Sequence, residues 1–515
     1  MISITGPLAA KFDPSSKVAK DLTAIAPLLA AKDSSLWGET AQGEAANRLN
    51  WIDLPVSSRE LLPQLDSISA WARSNKVTNV ILCGMGGSSL APEVIAKTYQ
   101  KNLTVLDTTD SEQIAQVLNA DLSSSIIVIG SKSGSTIETA SQKSLFESSL
   151  RAANLEPKDH LIIVTDPNSP LDRSARASGY RVVNADPMVG GRFSALSAFG
   201  LLPAALLGID VSVLLDDADR ANRTFSQQES AAIKLATILF EQTIQNFALI
   251  DSGSNVPGIS DWIEQLVAES TGKDAKGRLP IVIEGASAHV PANTPKISFS
   301  QDSGDLNVLG TLGEQFILWE WVTAMLCRAL EVDPFNQPNV TEAKERTSGL
   351  LNLWKISGEP NTIPSFENKN LQVFYTEDLT SLKHALQVFT SHGDSYFAIM
   401  AYLNRIADYD ISKTRESLAI ATNQAVTFGW GPRFLHSTGQ FHKGGQPNGA
   451  FLQITATHSH DLEIPGADFT FHTLLMAQAL GDGQALASRG LPLMRVHLLN
   501  RSAGIAELLE AIGEL

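Results

Sequence analysis

An apolar hexapeptide followed by a loop of small polar residues constrains this chain most. Residues 125–130 read SIIVIG, the composition of a buried parallel strand. Residues 131–139 read SKSGSTIET, and residues 140–146 have helix-forming composition without proline. A strand, a hydroxyl-rich loop and a helix in this order leave free backbone N–H groups at the start of the helix, where its dipole favours an anion. The stretch therefore predicts an anion-binding loop in an α/β fold.

The side chains of the loop suit a phosphate group. Ser131, Ser133, Ser135 and Thr136 are small donors, and Lys132 can add a positive point charge. The spacing Gly-x-x-x-x-Gly-Lys-Ser/Thr is missing, so a nucleotide P-loop is excluded. Taken alone, the loop fits equally well with an ordinary helix start, because Ser and Thr are common N-caps.

A second loop favours the ligand-binding interpretation. Residues 80–83, VILC, have the pattern of a buried strand, and residues 84–89, GMGGSS, follow it directly. Glycines permit positive φ and close approach of the backbone to a ligand. Open α/β sheets bind ligands at the carboxyl ends of their strands, where both loops are predicted to lie. Together the loops predict one ligand with a phosphate and a polyol body.

Strand and helix patterns alternate along most of the chain after a helical N-terminal segment. The predicted strands of a first region lie at 77–83, 103–106, 126–129, 161–165 and 181–183. Those of a second region lie at 248–250, 280–283, 372–375, 396–400, 451–454 and 492–498. This alternation predicts an α/β fold with two doubly wound parallel-sheet subdomains and a site in the cleft between them. We divide the chain into a helical segment 1–76 and subdomains 77–215 and 216–515.

Composition limits the class of protein. The formal net charge of −16 over 515 residues argues against extensive nucleic-acid contact, which needs a basic surface. The two cysteines, Cys83 and Cys327, do not suggest a disulfide framework. The N-terminus has no basic region followed by an apolar core, and the longest apolar region, 199–215, is interrupted by Pro203 and Asp210. We therefore expect a soluble cytoplasmic protein without membrane contact.

Three motifs in a fixed order carry a family resemblance. GMGGSS at 84–89, SKSGSTIET at 131–139 and GGRFS at 190–194 together resemble the glucose-6-phosphate isomerase family, also called the phosphoglucose isomerase family, of the bacterial type. The resemblance implies two sugar-isomerase-type (SIS) subdomains, a homodimer and a sugar phosphate substrate. It implies an aldose–ketose isomerase of glycolysis and gluconeogenesis that converts glucose 6-phosphate and fructose 6-phosphate through an enediolate. Such a proton transfer needs no cofactor and no metal.

The resemblance also implies which residues bind substrate. Residues 265–273, QLVAESTGK, match the family's Gln-x-x-x-Glu-Ser-x-Gly-Lys arrangement, and residues 333–344, DPFNQPNVTEAK, keep its Gln-to-Lys spacing. The family prefers other residue types at Asn339 and Thr341, which puts the local loop geometry in question. The implied substrate-binding residues are Gly87, Ser88, Ser131, Lys132, Ser133, Thr136, Thr139, Gly191, Gln265 and Gln337.

Four residues are expected to carry the chemistry. By the resemblance, Glu269 is the base, Arg192 stabilises the enediolate and Lys344 helps to open the sugar ring. A histidine should take part in ring opening. The candidates are His436, in a Leu-His-Ser-Thr-Gly-Gln segment that some relatives place earlier in the chain, and His289, which lies between the Glu and Lys motifs. We favour His436, because its turn of small polar residues can approach a sugar closely.

Two other functions fit the same domains. An isomerase could act on another hexose phosphate, such as a mannose or glucosamine phosphate. A sugar-phosphate-sensing module would use the same fold without the acid–base residues, and such regulators usually carry a DNA-binding helix-turn-helix. The chain has no basic N-terminal domain, and it keeps the Glu motif.

Overall fold

The computed structural model describes residues 2–301, 303–360 and 362–515. Within these residues the strands are β1 (Ser3–Thr5), β2 (Asn79–Gly84), β3 (Thr104–Leu106), β4 (Ser125–Gly130), β5 (Leu161–Thr165), β6 (Arg181–Asn184), β7 (Asn246–Ile250), β8 (Leu279–Val282), β9 (Lys296–Ser298), β10 (Leu306–Leu309), β11 (Phe366–Glu367), β12 (Leu371–Phe374), β13 (Tyr396–Ala401), β14 (Ala425–Trp430), β15 (Gly449–Ala456) and β16 (Leu493–Leu498).

The α-helices of the same residues are α1 (Lys17–Ala30), α2 (Glu39–Ala45), α3 (Leu54–Ser57), α4 (Leu62–Ser74), α5 (Leu90–Thr98), α6 (Ser111–Leu118), α7 (Ile137–Ala152), α8 (Pro170–Ala177), α9 (Ala198–Leu206), α10 (Val211–Phe225), α11 (Ala231–Phe240), α12 (Ile259–Thr271), α13 (Leu312–Leu330), α14 (Pro338–Ser357), α15 (Leu382–Thr390), α16 (Thr414–Thr422), α17 (Gly439–Gly444), α18 (Phe471–Ala487) and α19 (Arg501–Gly513).

The first sheet has the order β3-β2-β4-β5-β6, and all its strands are parallel. Its strands are short apolar runs that are buried on both faces, as expected for a parallel sheet covered by helices. Gly84 at the end of β2 lies opposite Gly130 at the end of β4. The two glycine- and serine-rich loops therefore leave neighbouring strands at the same level.

The rest of the chain forms two further sheets. The second sheet has the order β1-β10-β9-β7-β8, with the N-terminal β1 antiparallel to β10. The third sheet has the order β11-β12-β16-β15-β13-β14, in which β12 is antiparallel to both of its neighbours. We expected the strands after residue 216 in one subdomain, whereas they divide between two sheets.

The prediction of an α/β fold with parallel sheets is confirmed, and each predicted strand overlaps an observed one. The strands β1, β9, β10 and β11 were not predicted, because strands of two to four residues are too short for a periodic pattern. It also missed β14, whose sequence contains Gly429 near its end. The division at residues 76 and 215 stays a prediction.

A cluster of four aromatic rings, Trp37, Trp51, Phe193 and Phe335, links the N-terminal segment to the two turns that carry Arg192 and Gln337. Trp51 and Phe193 have ring centroids 5.3 Å apart, Phe193 and Phe335 lie 5.6 Å apart, and Trp37 packs edge-on against Phe335 at 5.2 Å. Phe193 directly follows Arg192, and Phe335 lies two residues before Gln337. Rings packed in this way fix the backbone that presents both polar side chains.

Both cysteines, Cys83 and Cys327, are buried and free, as expected from the sequence. Across residues 2–301, 303–360 and 362–515, no helix combines the length and the apolar composition needed to cross a lipid bilayer.

A buried histidine supports the short helix α17. The ring of His442 stacks on Tyr396 at 5.9 Å, and its Nδ1 lies 3.2 Å from the Tyr396 hydroxyl. Burial, with a smaller effect of Lys443, lowers the pKa of His442 from 6.5 to about 3. The folded protein therefore keeps this imidazole neutral at pH values where the unfolded chain binds a proton.

We predict that His442→Phe makes the protein less sensitive to acid. Below the unfolded pKa of 6.5 the unfolded wild type gains a proton that the folded state does not accept, so stability falls with pH until about pH 3. The loss is about 1.4 kcal/mol per pH unit in this window. Urea-unfolding midpoints from pH 7 to pH 4 should fall less steeply in the variant. His392→Phe, a change at an exposed histidine, should keep the wild-type slope, and equal slopes in all three proteins would refute the prediction.

Candidate active site

A cavity of about 400 Å³ lies at the carboxyl ends of β2 and β4. Its lining includes thirteen of the fourteen residues predicted for the site, namely Gly87, Ser88, Ser131, Lys132, Ser133, Thr136, Gly191, Arg192, Gln265, Glu269, Gln337, Lys344 and His436. The residues that sequence reasoning did not name are Arg48, Met85, Gly86, Gly130, Asp166 and Val340. The lining comes from Arg48, from the segments that follow β2, β4, β5 and β6 of the first sheet, from α12 and α14, and from the segment that follows β14 of the third sheet.

Two predicted residues lie elsewhere. Thr139 is buried within α7 and does not line the cavity, and its hydroxyl has no hydrogen-bond partner among the described residues. Its side chain is 1% exposed, so it faces the protein interior. His289, the alternative histidine, contacts Asn423 through Nε2 at 3.1 Å, away from this lining. The structure therefore brings His436 to Glu269 and Arg192, and it does not bring His289 there.

The turn after β2 needs glycine because two backbones meet there. A Cβ atom at Gly87 would lie 1.9 Å from the carbonyl oxygen of Gly191, and Gly86 has a positive φ of 54°. Any side chain at Gly87 would therefore displace the turn Gly191–Phe193, which carries Arg192. This contact couples the first loop to the guanidinium in the cavity.

The loop between β4 and α7 is held by its own hydroxyl groups. Ser131 Oγ accepts a hydrogen bond from the Gly134 amide at 3.1 Å and donates to Thr136 Oγ1 at 3.3 Å. Ser133 Oγ accepts from the Ser135 amide at 3.2 Å. The loop leads into the sixteen-residue helix α7, whose positive dipole end faces the same region. Its geometry and charge fit a phosphate group.

Lys132 is already paired in this structure. Its Nζ lies 2.7 Å from Asp166 Oδ2 and donates to the Pro187 carbonyl at 3.1 Å. Burial lowers the pKa of Lys132 and raises that of Asp166, which shows that desolvation outweighs the attraction between them. Lys132 therefore reaches the cavity as half of an ion pair and not as the free charge that the sequence suggested.

A buried ion pair lies at the centre of the cavity wall. Arg192 Nη1 donates to Glu269 Oε1 at 2.9 Å and to Gln337 Oε1 at 3.0 Å, while Arg192 Nε donates to Ser270 Oγ at 2.8 Å. The other terminal nitrogen donates to the carbonyls of Pro334 and Asn336. The side chains of Arg192 and Glu269 are 4% and 6% exposed, so water competes little for this pair.

Gln265 connects the carboxylate to the histidine segment. It lies one helical turn before Glu269 on α12, and its Nε2 donates to Glu269 Oε2 at 3.1 Å and to the His436 carbonyl at 2.6 Å. Its Oε1 is buried and has no hydrogen-bond partner among the described residues. A hydroxyl group of a bound ligand can satisfy such an oxygen.

Glu138 is a site residue that sequence reasoning missed. His436 Nε2 lies 2.9 Å from Glu138 Oε1. Burial by itself raises the pKa of Glu138, but the facing His436 and the more distant Lys344 lower it overall. A carboxylate that binds one imidazole nitrogen fixes the tautomer and orientation of the ring. Its position in the first turn of the helix that follows the predicted phosphate loop is a signal that could have identified it.

Within residues 2–301, 303–360 and 362–515, no group of three or more His, Cys, Asp or Glu side chains is arranged to hold a metal ion. The charged groups that line the cavity are Arg48, Lys132, Asp166, Arg192, Glu269 and Lys344, together with the imidazole of His436. Glu138 is not part of this lining, but it contacts that imidazole. This set can move protons and stabilise an oxyanion.

We predict that Gly87→Ala disturbs the ion pair across the cavity. The new methyl group must push the Gly191 carbonyl away, and overpacking of this kind costs about 1–3 kcal/mol. The thermal unfolding midpoint should fall, and a crystal structure should show Arg192 displaced from Glu269. Gly190→Ala is the matched control, because a Cβ there meets its first neighbour at 3.8 Å. A Gly87→Ala structure with the 2.9 Å contact intact would contradict the prediction.

Comparisons with known proteins agree with this geometry. Residues 59–278 match the family model of phosphoglucose isomerase. A glucose-6-phosphate isomerase of Thermus thermophilus is 32% identical over 271 residues, which cover 50% of this chain and 63% of the relative. One of Methanocaldococcus jannaschii is 30% identical over 261 residues, which cover 46% of this chain and 65% of the relative. The chain thus spans somewhat less than two thirds of the length of these two relatives.

A more distant relative and a solved structure extend the match. The glucose-6-phosphate isomerase of Staphylococcus saprophyticus is 27% identical over 393 residues, which cover 60% of this chain and 88% of the relative. The crystal structure of a glucose-6-phosphate isomerase from Chlamydia trachomatis superposes with a TM-score of 0.55 at 17% identity, over 70% of this chain and 89% of that one, so it has a similar fold. The segment 59–278, which matches the phosphoglucose isomerase family model, contains the three motifs at 84–89, 131–139 and 190–194.

Proposed function

We propose that this protein interconverts glucose 6-phosphate and fructose 6-phosphate through an enediolate intermediate. The observation that carries the proposal is the buried contact of Glu269 with Arg192 in a cavity that also contains an anion-binding loop and a carboxylate-bound histidine. Relatives of this chain that carry the name glucose-6-phosphate isomerase support the same substrate. The function is that of an intramolecular aldose–ketose isomerase.

The substrate phosphate binds the loop 131–136 at the start of α7. Hydroxyl groups of Ser131, Ser133 and Thr136 are the donors, together with the backbone amides at the start of α7, and the dipole of α7 adds positive potential. Ser88 and the glycine turn before it contact the polyol chain. The phosphate thereby fixes the distance of C1 and C2 from the buried ion pair.

Glu269 takes the proton from the carbon next to the carbonyl and returns it to the neighbouring carbon. Arg192 and Gln265 hold the two carboxylate oxygens and so fix their direction. The enediolate carries negative charge on two oxygens, and Arg192 stabilises this charge without reorganisation because four hydrogen bonds besides the one to Glu269 already fix its guanidinium. Gln337 accepts a hydrogen bond from the same Arg192 nitrogen that binds Glu269, and it contacts the substrate.

Ring opening needs a second acid–base group. His436, bound by Glu138 through Nε2, moves a proton between the C1 hydroxyl and the ring oxygen through its other nitrogen. Lys344 adds a positive charge near the ring oxygen. None of these steps calls for a cofactor or a metal.

We further propose that the enzyme works as a homodimer in the cytoplasm, in glycolysis and gluconeogenesis, without nucleic-acid or membrane partners. The acidic net charge of −16 supports the absence of a nucleic-acid partner.

The test is to incubate purified protein with fructose 6-phosphate and to measure glucose 6-phosphate. Mannose 6-phosphate and glucosamine 6-phosphate are measured in parallel, because they distinguish an isomerase of another hexose phosphate. A protein that binds these sugars by calorimetry but converts none of them would be a sensing module, and the proposal would be wrong.

We predict that Glu269→Gln lowers kcat by roughly two to four decades, the loss typical of a missing general base. The amide keeps the shape of the side chain and a hydrogen bond acceptor for Arg192, so substrate affinity should change little. Steady-state kinetics and calorimetric binding of fructose 6-phosphate measure the two effects. A variant with nearly wild-type kcat would mean that another group transfers the proton.

We predict that His436→Ala lowers kcat by about a hundredfold, because ring opening loses its acid–base group. His289→Ala should keep kcat and lower only the thermal midpoint, since it removes a hydrogen bond to Asn423. The pair forms a matched comparison of two histidine deletions. The opposite pattern, with His289→Ala inactive and His436→Ala active, would reverse the assignment.

A further inference from the structure

Gln478 on α18 contacts the carboxylate that binds the histidine. Its Nε2 donates to Glu138 Oε1 at 2.7 Å, and the same oxygen is the one that lies 2.9 Å from His436 Nε2. Gln478 is 3% exposed, and it lines a smaller cavity of about 100 Å³ together with Glu138, Lys344 and His436. Glu138 Oε1 therefore receives two hydrogen bonds, one from the imidazole and one from the amide.

The orientation of this amide is fixed from the other side. Thr109 Oγ1 donates to Gln478 Oε1 at 2.8 Å, and Thr109 is fully buried after the end of β3. A flipped amide would place its oxygen against the Glu138 carboxylate, and two acceptors repel each other. The chain of contacts therefore runs in one direction, from the Thr109 hydroxyl through Gln478 to Glu138.

The next turn of α18 contacts the segment that carries His436. Asp482 lies four residues after Gln478 and so on the same face of the helix. Its Oδ1 pairs with Lys443 Nζ at 2.5 Å, with both side chains 1% exposed. Lys443 belongs to α17, which begins three residues after His436. One face of α18 thus contacts both the carboxylate side and the histidine side of the pair.

α18 also packs on α14, the helix that carries Lys344. Arg489, just after α18, binds Glu342 of α14 at 2.6 Å. All these residues lie after position 278, where the family match ends. Glu138 and Thr109 lie within the matched segment, whereas the contacts that α18 and α14 contribute come from a part of the chain that the family model does not cover.

We propose that Gln478 is a positioning residue for the ring-opening step, acting through Glu138 on His436. The amide keeps Glu138 Oε1 within hydrogen-bond distance of the imidazole and stabilises its negative charge. The proposal rests on the proposed isomerase function, because ring opening is the step that uses His436. Gln478 itself has no contact with the reacting atoms.

Removal of the amide donor has a defined electrostatic consequence. A hydrogen bond to a carboxylate favours its charged form, so its loss raises the pKa of Glu138. The charged groups that face Glu138 are His436 and, at longer range, Lys344 of α14, and both remain in place. The acid limb of the kcat profile should consequently move to higher pH.

The experiment compares Gln478→Met, Glu138→Gln and the double variant as full-length protein. Methionine keeps the length of the side chain and removes the donor. We expect Gln478→Met to lower kcat about tenfold, less than the loss of the imidazole itself. KM should stay within about twofold, and the acid limb should move upward. In the Glu138→Gln background the same change should have almost no further effect on kcat, because the carboxylate through which it acts is gone.

Two controls separate positioning from general destabilisation. Gln484→Met changes an exposed residue on the same helix and should match wild type. Thr109→Val should reproduce part of the Gln478→Met effect. Thr109→Ser should behave like wild type, since serine keeps the hydroxyl that binds Gln478. Full additivity of Gln478→Met with Glu138→Gln, or an unchanged kcat and acid limb, would overturn the proposal.

A readout without catalysis distinguishes failure of this proposal from failure of the proposed function. Proton titration of His436 is followed by NMR of histidine-labelled protein, with the resonance assigned by its loss in His436→Asn. The apparent pKa of His436 should differ between wild type and Gln478→Met even if the protein converts no hexose phosphate. Identical titration curves would overturn the positioning role.

Discussion

The contact between Arg192 and Glu269 is the interaction on which the site depends. Both side chains are almost fully buried, and each joins a different part of the fold, Arg192 from the turn after the first sheet and Glu269 from the last turn of α12. Removing one partner of such a pair leaves an uncompensated buried charge, at a cost of about 3–5 kcal/mol. The pair therefore fixes how these two elements meet, and it places opposite charges side by side in the wall of the cavity.

The surrounding structure serves to keep that contact in one geometry. The Gly87 backbone contacts Gly191, and Phe193 and Phe335 pack against each other within the aromatic cluster. Gln265 binds both Glu269 and the backbone of His436. The third sheet contributes His436 at the end of the segment that follows β14. The cavity lining thereby brings together residues as far apart in the sequence as Arg48 and His436.

The sequence was sufficient for the parts of the site that depend on local pattern. The two loops follow short apolar strands, so their place at the carboxyl ends of neighbouring strands could be predicted, as could the α/β fold. The roles assigned to the site residues stay predictions. Pattern could not reveal that Lys132 pairs with Asp166, that Thr139 faces inward or that Gln478 reaches Glu138, because these contacts join segments far apart in the chain. For the same reason the sequence pattern did not show that the strands after residue 216 divide between two sheets.

The most direct test of the central claim is isotope exchange with solvent. Fructose 6-phosphate is incubated with the protein in deuterated water, and the product is examined by NMR and mass spectrometry. Proton transfer by Glu269 through an enediolate predicts deuterium at C2 of the glucose 6-phosphate formed, and at C1 of the recovered fructose 6-phosphate. Glucose 6-phosphate formed without any deuterium on carbon would indicate a direct hydride shift, and the account of the Arg192–Glu269 site given above would be contradicted.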